Sequence, residues 1–111
     1  MKILVVDDEF EVRETIKGML RDVVSEIVCA SDAMSAMLTL KDNEDVSAII
    51  TDYRMPGLGG YDWISMVKHY HPQKKIVVVT GYEVAKDNLE KTVKVVMKPF
   101  TKYQLIEAIE A

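Results

Sequence analysis

One cysteine, three prolines and five glycines among 111 residues already rule out several architectures. Cys29 has no partner for an internal disulfide, and its place in the run Ile27-Val28-Cys29-Ala30 assigns it to packing as a small hydrophobe in preference to a reactive thiol. Cations are also scarce: Lys and Arg number 14 against 18 Asp and Glu, a formal net charge of -4 with no basic stripe, which argues against direct nucleic-acid binding. Long apolar runs are missing. The opening Ile3-Leu4-Val5-Val6 meets Asp7-Asp8 too soon for a signal-peptide core, and no run approaches the roughly 18 apolar residues of a membrane span. A soluble, cytoplasmic protein without membrane insertion is therefore expected. No repeat, low-complexity tract or linker divides the chain. Residues 1–111 read as one domain with a sufficient core, either compact in itself, with a brief final helix, or excised from a longer protein.

What is present is an alternation of apolar runs and amphipathic stretches. The runs at 3–6, 27–30, 46–51, 76–80 and 95–97 are mostly Val and Ile without polar alternation, the pattern of parallel strands covered on both faces. Between the first two, Val12, Ile16, Met19, Leu20 and Val23 recur at helical spacing, with Glu11, Arg13, Glu14, Lys17 and Arg21 left for solvent. Gly18 weakens that helix, and close packing is the expected reason for it. Ser31 or Asp32 caps a second helix, with Met34, Met37, Leu38 and the stem of Lys41 turned inward. Gly59-Gly60 introduces a third, carrying Trp63, Ile64 and Val67, and His71-Pro72 ends it. A short polar helix is expected from Glu83 to Thr92, and Thr101 caps a last one with Leu105, Ile106 and Ile109 inward. The fold class is α/β, a (βα)₅ doubly wound parallel sheet with right-handed crossovers.

The ends of these runs carry the chemistry. Asp7-Asp8 closes the first, Asp52 the third, Thr80 the fourth and Lys98 follows the fifth. In a parallel sheet such groups converge in the crevice outside the carboxyl edge, where open α/β sheets bind ligands. Carboxylates gathered at one point repel each other unless a cation joins them, and oxygen donors without Cys or nearby His favour Mg²⁺, with Mn²⁺ able to substitute. Asp8 and Asp52 are the expected direct ligands, with Asp7 reaching the ion directly or through water and Arg54 offering only its backbone carbonyl. Such an ion brings a phosphoryl group to the carboxylates. Asp52 can then attack it as a nucleophile while Lys98 neutralises one phosphoryl oxygen and Thr80 donates a hydrogen bond to another. Taken singly, each residue has a plainer reading as a helix cap, a turn residue or an exposed strand end. Their joint placement at four strand ends favours the phosphoryl site.

Asp7-Asp8-Glu9, Asp52-Tyr53-Arg54-Met55-Pro56-Gly57, Thr80-Gly81-Tyr82 and Lys98-Pro99-Phe100, in that order, resemble the motifs of a two-component response-regulator receiver domain over essentially the whole chain. The resemblance implies a flavodoxin-like sheet of order 2-1-3-4-5, Asp52 as phosphoacceptor, Asp7 and Asp8 as the acidic metal pocket, and Thr80 and Lys98 as partners of the phosphoryl group. It also implies Mg²⁺ as cofactor, a sensor histidine kinase or phosphotransfer protein as donor, and a cis Lys98-Pro99 peptide. His69 and His71 fall outside the motifs and read as solvated surface groups. The function implied is a phosphorylation-controlled signalling switch with slow self-dephosphorylation, its chemistry confined to its own Asp52. Its expected output or partner face comprises the helix predicted at 83–92, the fifth strand and the last helix.

Two departures stand out. Thr80 and Lys98 lie closer in sequence than is usual for the family, and the aromatic switch position in the fifth strand matches Val95. Tyr82 can serve as a substitute signalling aromatic or as a shield at the pocket rim. A Mg²⁺-dependent phosphohydrolase acting on external substrates, and an adaptor with a vestigial acidic pocket, are the alternative functions.

Overall fold

The computed structural model describes residues 1–81 and 93–111. Tyr82 and the helix expected at Glu83–Thr92 lie outside these residues. Five strands, β1 (Lys2–Val6), β2 (Glu26–Ala30), β3 (Val46–Asp52), β4 (Lys75–Thr80) and β5 (Lys94–Met97), form one parallel sheet in the order β2-β1-β3-β4-β5. Four helices accompany them among the described residues: α1 (Phe10–Leu20), α2 (Ala33–Asp42), α3 (Gly60–Tyr70) and α4 (Lys102–Glu110). None is long and apolar enough to cross a membrane.

The runs of Val and Ile become strands because each has helices on both sides to bury it. Successive side chains of a strand point to opposite faces. Leu4, Val6, Ile49 and Val78 pack with Ala33, Ala36 and Leu40 of α2 and Trp63, Ile64 and Val67 of α3. Ile3, Val5, Ile50, Val77 and Val79 pack on the other face with Ile16 and Leu20 of α1 and Leu105 and Ile109 of α4. Thr51 shares the parity of Ile49, which puts its hydroxyl within 3.0 Å of the indole Nε1 of fully buried Trp63. That hydroxyl accepts the indole N–H and donates to the carbonyl of Asp52 at 2.9 Å, so the α3 core is tied to the residue that ends β3.

Two helices begin at side-chain caps. Asp32 accepts from the backbone N–H of Ser35 at 2.7 Å, and Thr101 accepts from that of Gln104 at 3.2 Å, each within a reciprocal capping box. At the start of α3 the caps are absent and a tight loop takes over. The N–H of Gly60 reaches back to the carbonyl of Tyr53, and a Cβ on Gly59 would sit 3.0 Å from the carbonyl oxygen of Met55.

Several expectations are corrected. The inner side of α2 is Ala33, Ala36 and Leu40, whereas Met34 and Leu38 are 73% and 59% exposed and Lys41 is solvent-facing. Ala33 and Ala36 allow the start of α2 to lie close on the sheet and Leu40 fills the core at its end, while Met34 and Leu38 fall on the outer side. Met34 and Met37 line an open cavity of about 480 Å³ with Pro56, Leu58 and Met66. Helix α1 stops at Leu20, so Val24 is buried in place of Val23. In α4, Leu105 and Ile109 are buried with Ala108, while Ile106 is only half-buried against the same core. Cys29 is half-buried, with burial pushing its thiol pKa upward, as suits a packing residue. His69 is exposed and His71 half-buried.

Close packing does not account for Gly18: a Cβ there meets nothing within 4 Å. Gly18→Ala should therefore stabilise the fold by about 0.5–1 kcal/mol, because the helix loses a residue with excess freedom in the unfolded chain. Urea denaturation should show a higher midpoint at unchanged slope; a lower midpoint would contradict this account of α1.

Candidate functional site

The carboxyl edge of the sheet assembles the site from neighbouring strands. Asp7 follows β1, Asp52 ends β3 beside it, and Thr80 ends β4 one residue beyond Val79, the register partner of Asp52. Lys98 follows β5, and its N–H donates to the carbonyl of Thr80 at 2.9 Å, extending the ladder past the strand. The Lys98-Pro99 peptide is cis. Four separated sequence positions thus meet because adjacent parallel strands end at the same level.

Asp7, Asp8 and Asp52 each offer a carboxylate oxygen within 4.8 Å of the others. Their surroundings differ. Asp7 is only 2% exposed, Asp52 half-buried and Asp8 open to solvent. The carboxylate of Asp7 accepts from the N–H of Glu9 at 2.9 Å, and that of Asp52 from the N–H of Tyr53 at 2.8 Å. Lys98 stands between the two buried carboxylates, its Nζ 3.8 Å from Asp7 Oδ2 and 3.7 Å from Asp52 Oδ2. Both contacts are too long for direct hydrogen bonds, so the ammonium neutralises without saturating either oxygen.

Burial raises the pKa of Asp7 above its ordinary value, opposed by the Glu9 N–H and Lys98 and reinforced by the neighbouring aspartates. Burial raises that of Asp52 as well, against the lowering effects of Lys98 and the backbone N–H groups of Tyr53 and Arg54, with Asp8 adding repulsion. Among the described residues, three clustered carboxylates, two of them facing Lys98, leave an excess of negative charge in a partly desolvated place. The oxygen-only donor set and its spacing fit a hard divalent cation.

Among the described residues, those singled out for the site lie at or beside this edge. Asp7, Asp8, Asp52 and Lys98 are brought together directly. Thr80 is fully buried at the end of β4. Arg54, two residues past Asp52, turns its backbone N–H toward the Asp52 carboxylate and exposes its side chain. Arg13 was expected in solvent, yet it is half-buried, and its Nη1 donates to the carbonyl of Asp7 at 2.7 Å. Its position on the polar side of α1 masked this contact, which depends on the turn between β1 and the helix.

The raised carboxyl values have a consequence for stability. A native-state pKa above the unfolded value means that the folded protein holds the proton more tightly. Ionisation at neutral pH then opposes folding, and this opposition fades as pH falls through the raised values toward the ordinary 3.8. Without divalent cation, Asp52→Asn should melt a few degrees above the wild type at pH 7, with the gap closing as the medium is acidified through that range. Melting curves across pH test this; a variant melting below the wild type at pH 7 would contradict it.

Comparison with known proteins agrees with this geometry. Residues 3–110 match the response regulator receiver domain family. The chain is 31% identical over 116 residues to the chemotaxis protein CheY of Pseudomonas aeruginosa, covering 99% of this chain and 94% of that one. It is also 31% identical over 113 residues to the hydrogenase transcriptional regulatory protein HoxA of Bradyrhizobium diazoefficiens, covering 97% of this chain but only 23% of that protein's length. Among solved structures, a response regulator receiver domain protein from Clostridium thermocellum superposes with a TM-score of 0.88 at 29% identity, covering 98% of this chain and 90% of that one. A five-stranded parallel sheet of order 2-1-3-4-5 with its acidic cluster at the carboxyl edge, matched over nearly its full length, makes this chain a member of the response regulator receiver domain family.

Proposed function

We propose that this receiver domain, a phosphorylation-controlled signalling switch, takes its phosphoryl group on Asp52. The observation that carries the reading is the meeting of three carboxylates, two of them facing the ammonium of Lys98, with Asp52 the one that ends a strand inside the sheet edge. A carboxylate oxygen of Asp52 attacks phosphorus of a donor phosphohistidine. The new O–P bond forms as the P–N bond breaks, and the electron pair leaves with the donor imidazole, which is protonated from solvent. The donor on this reading is a sensor histidine kinase or a phosphotransfer protein.

Asp8 and Asp52 would hold Mg²⁺, or Mn²⁺ in its place, with Asp7 ligating directly or through water and the carbonyl of Arg54 completing the protein's share. When bound, the ion neutralises carboxylate charge and orients phosphoryl oxygens. Lys98 pairs with one phosphoryl oxygen, exchanging its two long carboxylate contacts for a closer partner, and Thr80 donates to another. Water attack on the acyl-phosphate returns the ground state. The setting we assign is the cytoplasm, and residues 1–111 form one receiver unit. Output through β5 and α4 is part of the reading. Val95 is half-buried against the core in β5, so an aromatic rotamer cannot relay the signal from that position.

Incubation with a small phosphodonor and Mg²⁺ should add one phosphate, and Asp52→Asn, which nearly keeps the side-chain volume, should abolish it while the fold persists. Intact mass with circular dichroism checks both; a stoichiometric adduct surviving the substitution would reject Asp52. Between the paired acids, Asp8→Asn should weaken Mg²⁺ more than Asp7→Asn, because Asp7 already spends one carboxylate oxygen on Glu9 and faces Lys98 with the other. Calorimetric titration of each variant decides the ranking, and equal or inverted losses would overturn it.

A further inference from the structure

Asp7 has a neighbour at every polar group, three of them by hydrogen bond. Its N–H donates to the carbonyl of Ala30 at 3.2 Å, its Oδ1 accepts from Glu9 and its Oδ2 faces Lys98. Its carbonyl accepts from Arg13 Nη1 at 2.7 Å, six residues ahead in α1. Asp8 is different: it is exposed, and among the described residues no hydrogen bond holds its side chain. What positions Asp8 is therefore its backbone, and the oxygen of the peptide that joins it to Asp7 is the atom Arg13 grips. The guanidinium is held in turn, with its Cζ 5.6 Å from the ring centroid of Phe10, a residue left 63% exposed at the first position of α1.

We propose that Arg13, braced on Phe10, is a positioning residue that aims Asp8 at the cation by fixing the Asp7-Asp8 peptide. The role presumes the cation site proposed above. Outer groups that orient ligands commonly control metal affinity as strongly as a change among the ligands themselves. Sign separates positioning from charge. Arg13 is a cation close to a cation site, so electrostatics alone predicts tighter Mg²⁺ binding once it is removed. Positioning predicts the reverse, because a freed peptide lets Asp8 wander and ordering it again costs affinity.

The test is Mg²⁺ titration by calorimetry, with no phosphodonor present, on the wild type, Arg13→Ala, Arg13→Lys and Phe10→Ala. Arg13→Ala should bind Mg²⁺ about 10-fold more weakly, and Arg13→Lys, which restores a donor and the charge, should recover part of the loss. Phe10→Ala should lie between the wild type and Arg13→Ala, since it removes only the brace. Phosphorylation by a small donor at saturating Mg²⁺ should return to near the wild-type rate in Arg13→Ala, a split that general loss of structure would not produce. Unchanged or tighter Mg²⁺ binding in Arg13→Ala would overturn the inference and leave the cation site standing. Failure of the wild type to bind Mg²⁺ would overturn both. Should Arg13→Ala fail to fold, Phe10→Ala decides: weaker Mg²⁺ binding supports the brace, and unchanged binding rejects it.

Discussion

The repulsion among Asp7, Asp8 and Asp52, relieved only in part by Lys98, is the constraint around which this domain is organised. A single surface carboxylate costs little. Two of these three are partly or fully withdrawn from water, where the penalty for an unbalanced charge grows steeply. The rest of the fold holds them there. Strand β1 is an interior strand, between β2 and β3, and is buried along most of its length, so Asp7 cannot relax outward. Asp52 is tied from below through Thr51 to the indole of Trp63 and from its own side by the N–H of Tyr53. That repulsion is what a divalent cation can discharge, and a phosphoryl group, which adds negative charge of its own, makes the cation and Lys98 more necessary.

Parallel topology makes the arrangement possible. With all five strands running the same way, every β-to-α turn on one edge leaves a strand end facing the same crevice. The order β2-β1-β3-β4-β5 sets the strand carrying Asp52 between those carrying Asp7 and Thr80, and β5 brings Lys98 in from the edge. The two cores have separate tasks. The α2 and α3 face supports Thr51 and hence the backbone of Asp52, while the α1 and α4 face carries the helix that supplies Arg13. A signal that reorders the carboxylates can therefore strain either face.

Much of this could be read from the chain because buried parallel strands leave an uninterrupted apolar trace. The runs ending at Val6, Thr51 and Thr80 gave the strands to within a residue, and the acidic, hydroxyl and ammonium groups that follow them became neighbours once the sheet was assumed. Helix α2 resisted the same treatment. Its alanines, leucines and methionines all count as apolar at helical spacing, and only the way the helix lies on the sheet selects Ala33, Ala36 and Leu40 for the interface and leaves Met34 and Leu38 outside. Arg13 was missed for a related reason. A basic residue opposite an apolar stripe reads as solvated, and the carbonyl it serves becomes available only because β1 ends at Val6 and the chain turns into α1. Distances and protonation behaviour belong to the same class: Lys98 could be assigned to the pocket, but not its intermediate position between two carboxylates.

The central claim, that the aspartates are held in an electrostatically unfavourable cluster awaiting a cation, is tested most directly by the aspartates themselves. Carboxyl-carbon nuclear magnetic resonance can follow Asp7 and Asp52 through a pH titration with and without Mg²⁺. The account predicts that both titrate above the ordinary 3.8 without the ion, as burial demands, and that Mg²⁺ moves them sharply downward by favouring the charged forms. Ordinary titration of both groups, unmoved by Mg²⁺, would contradict it.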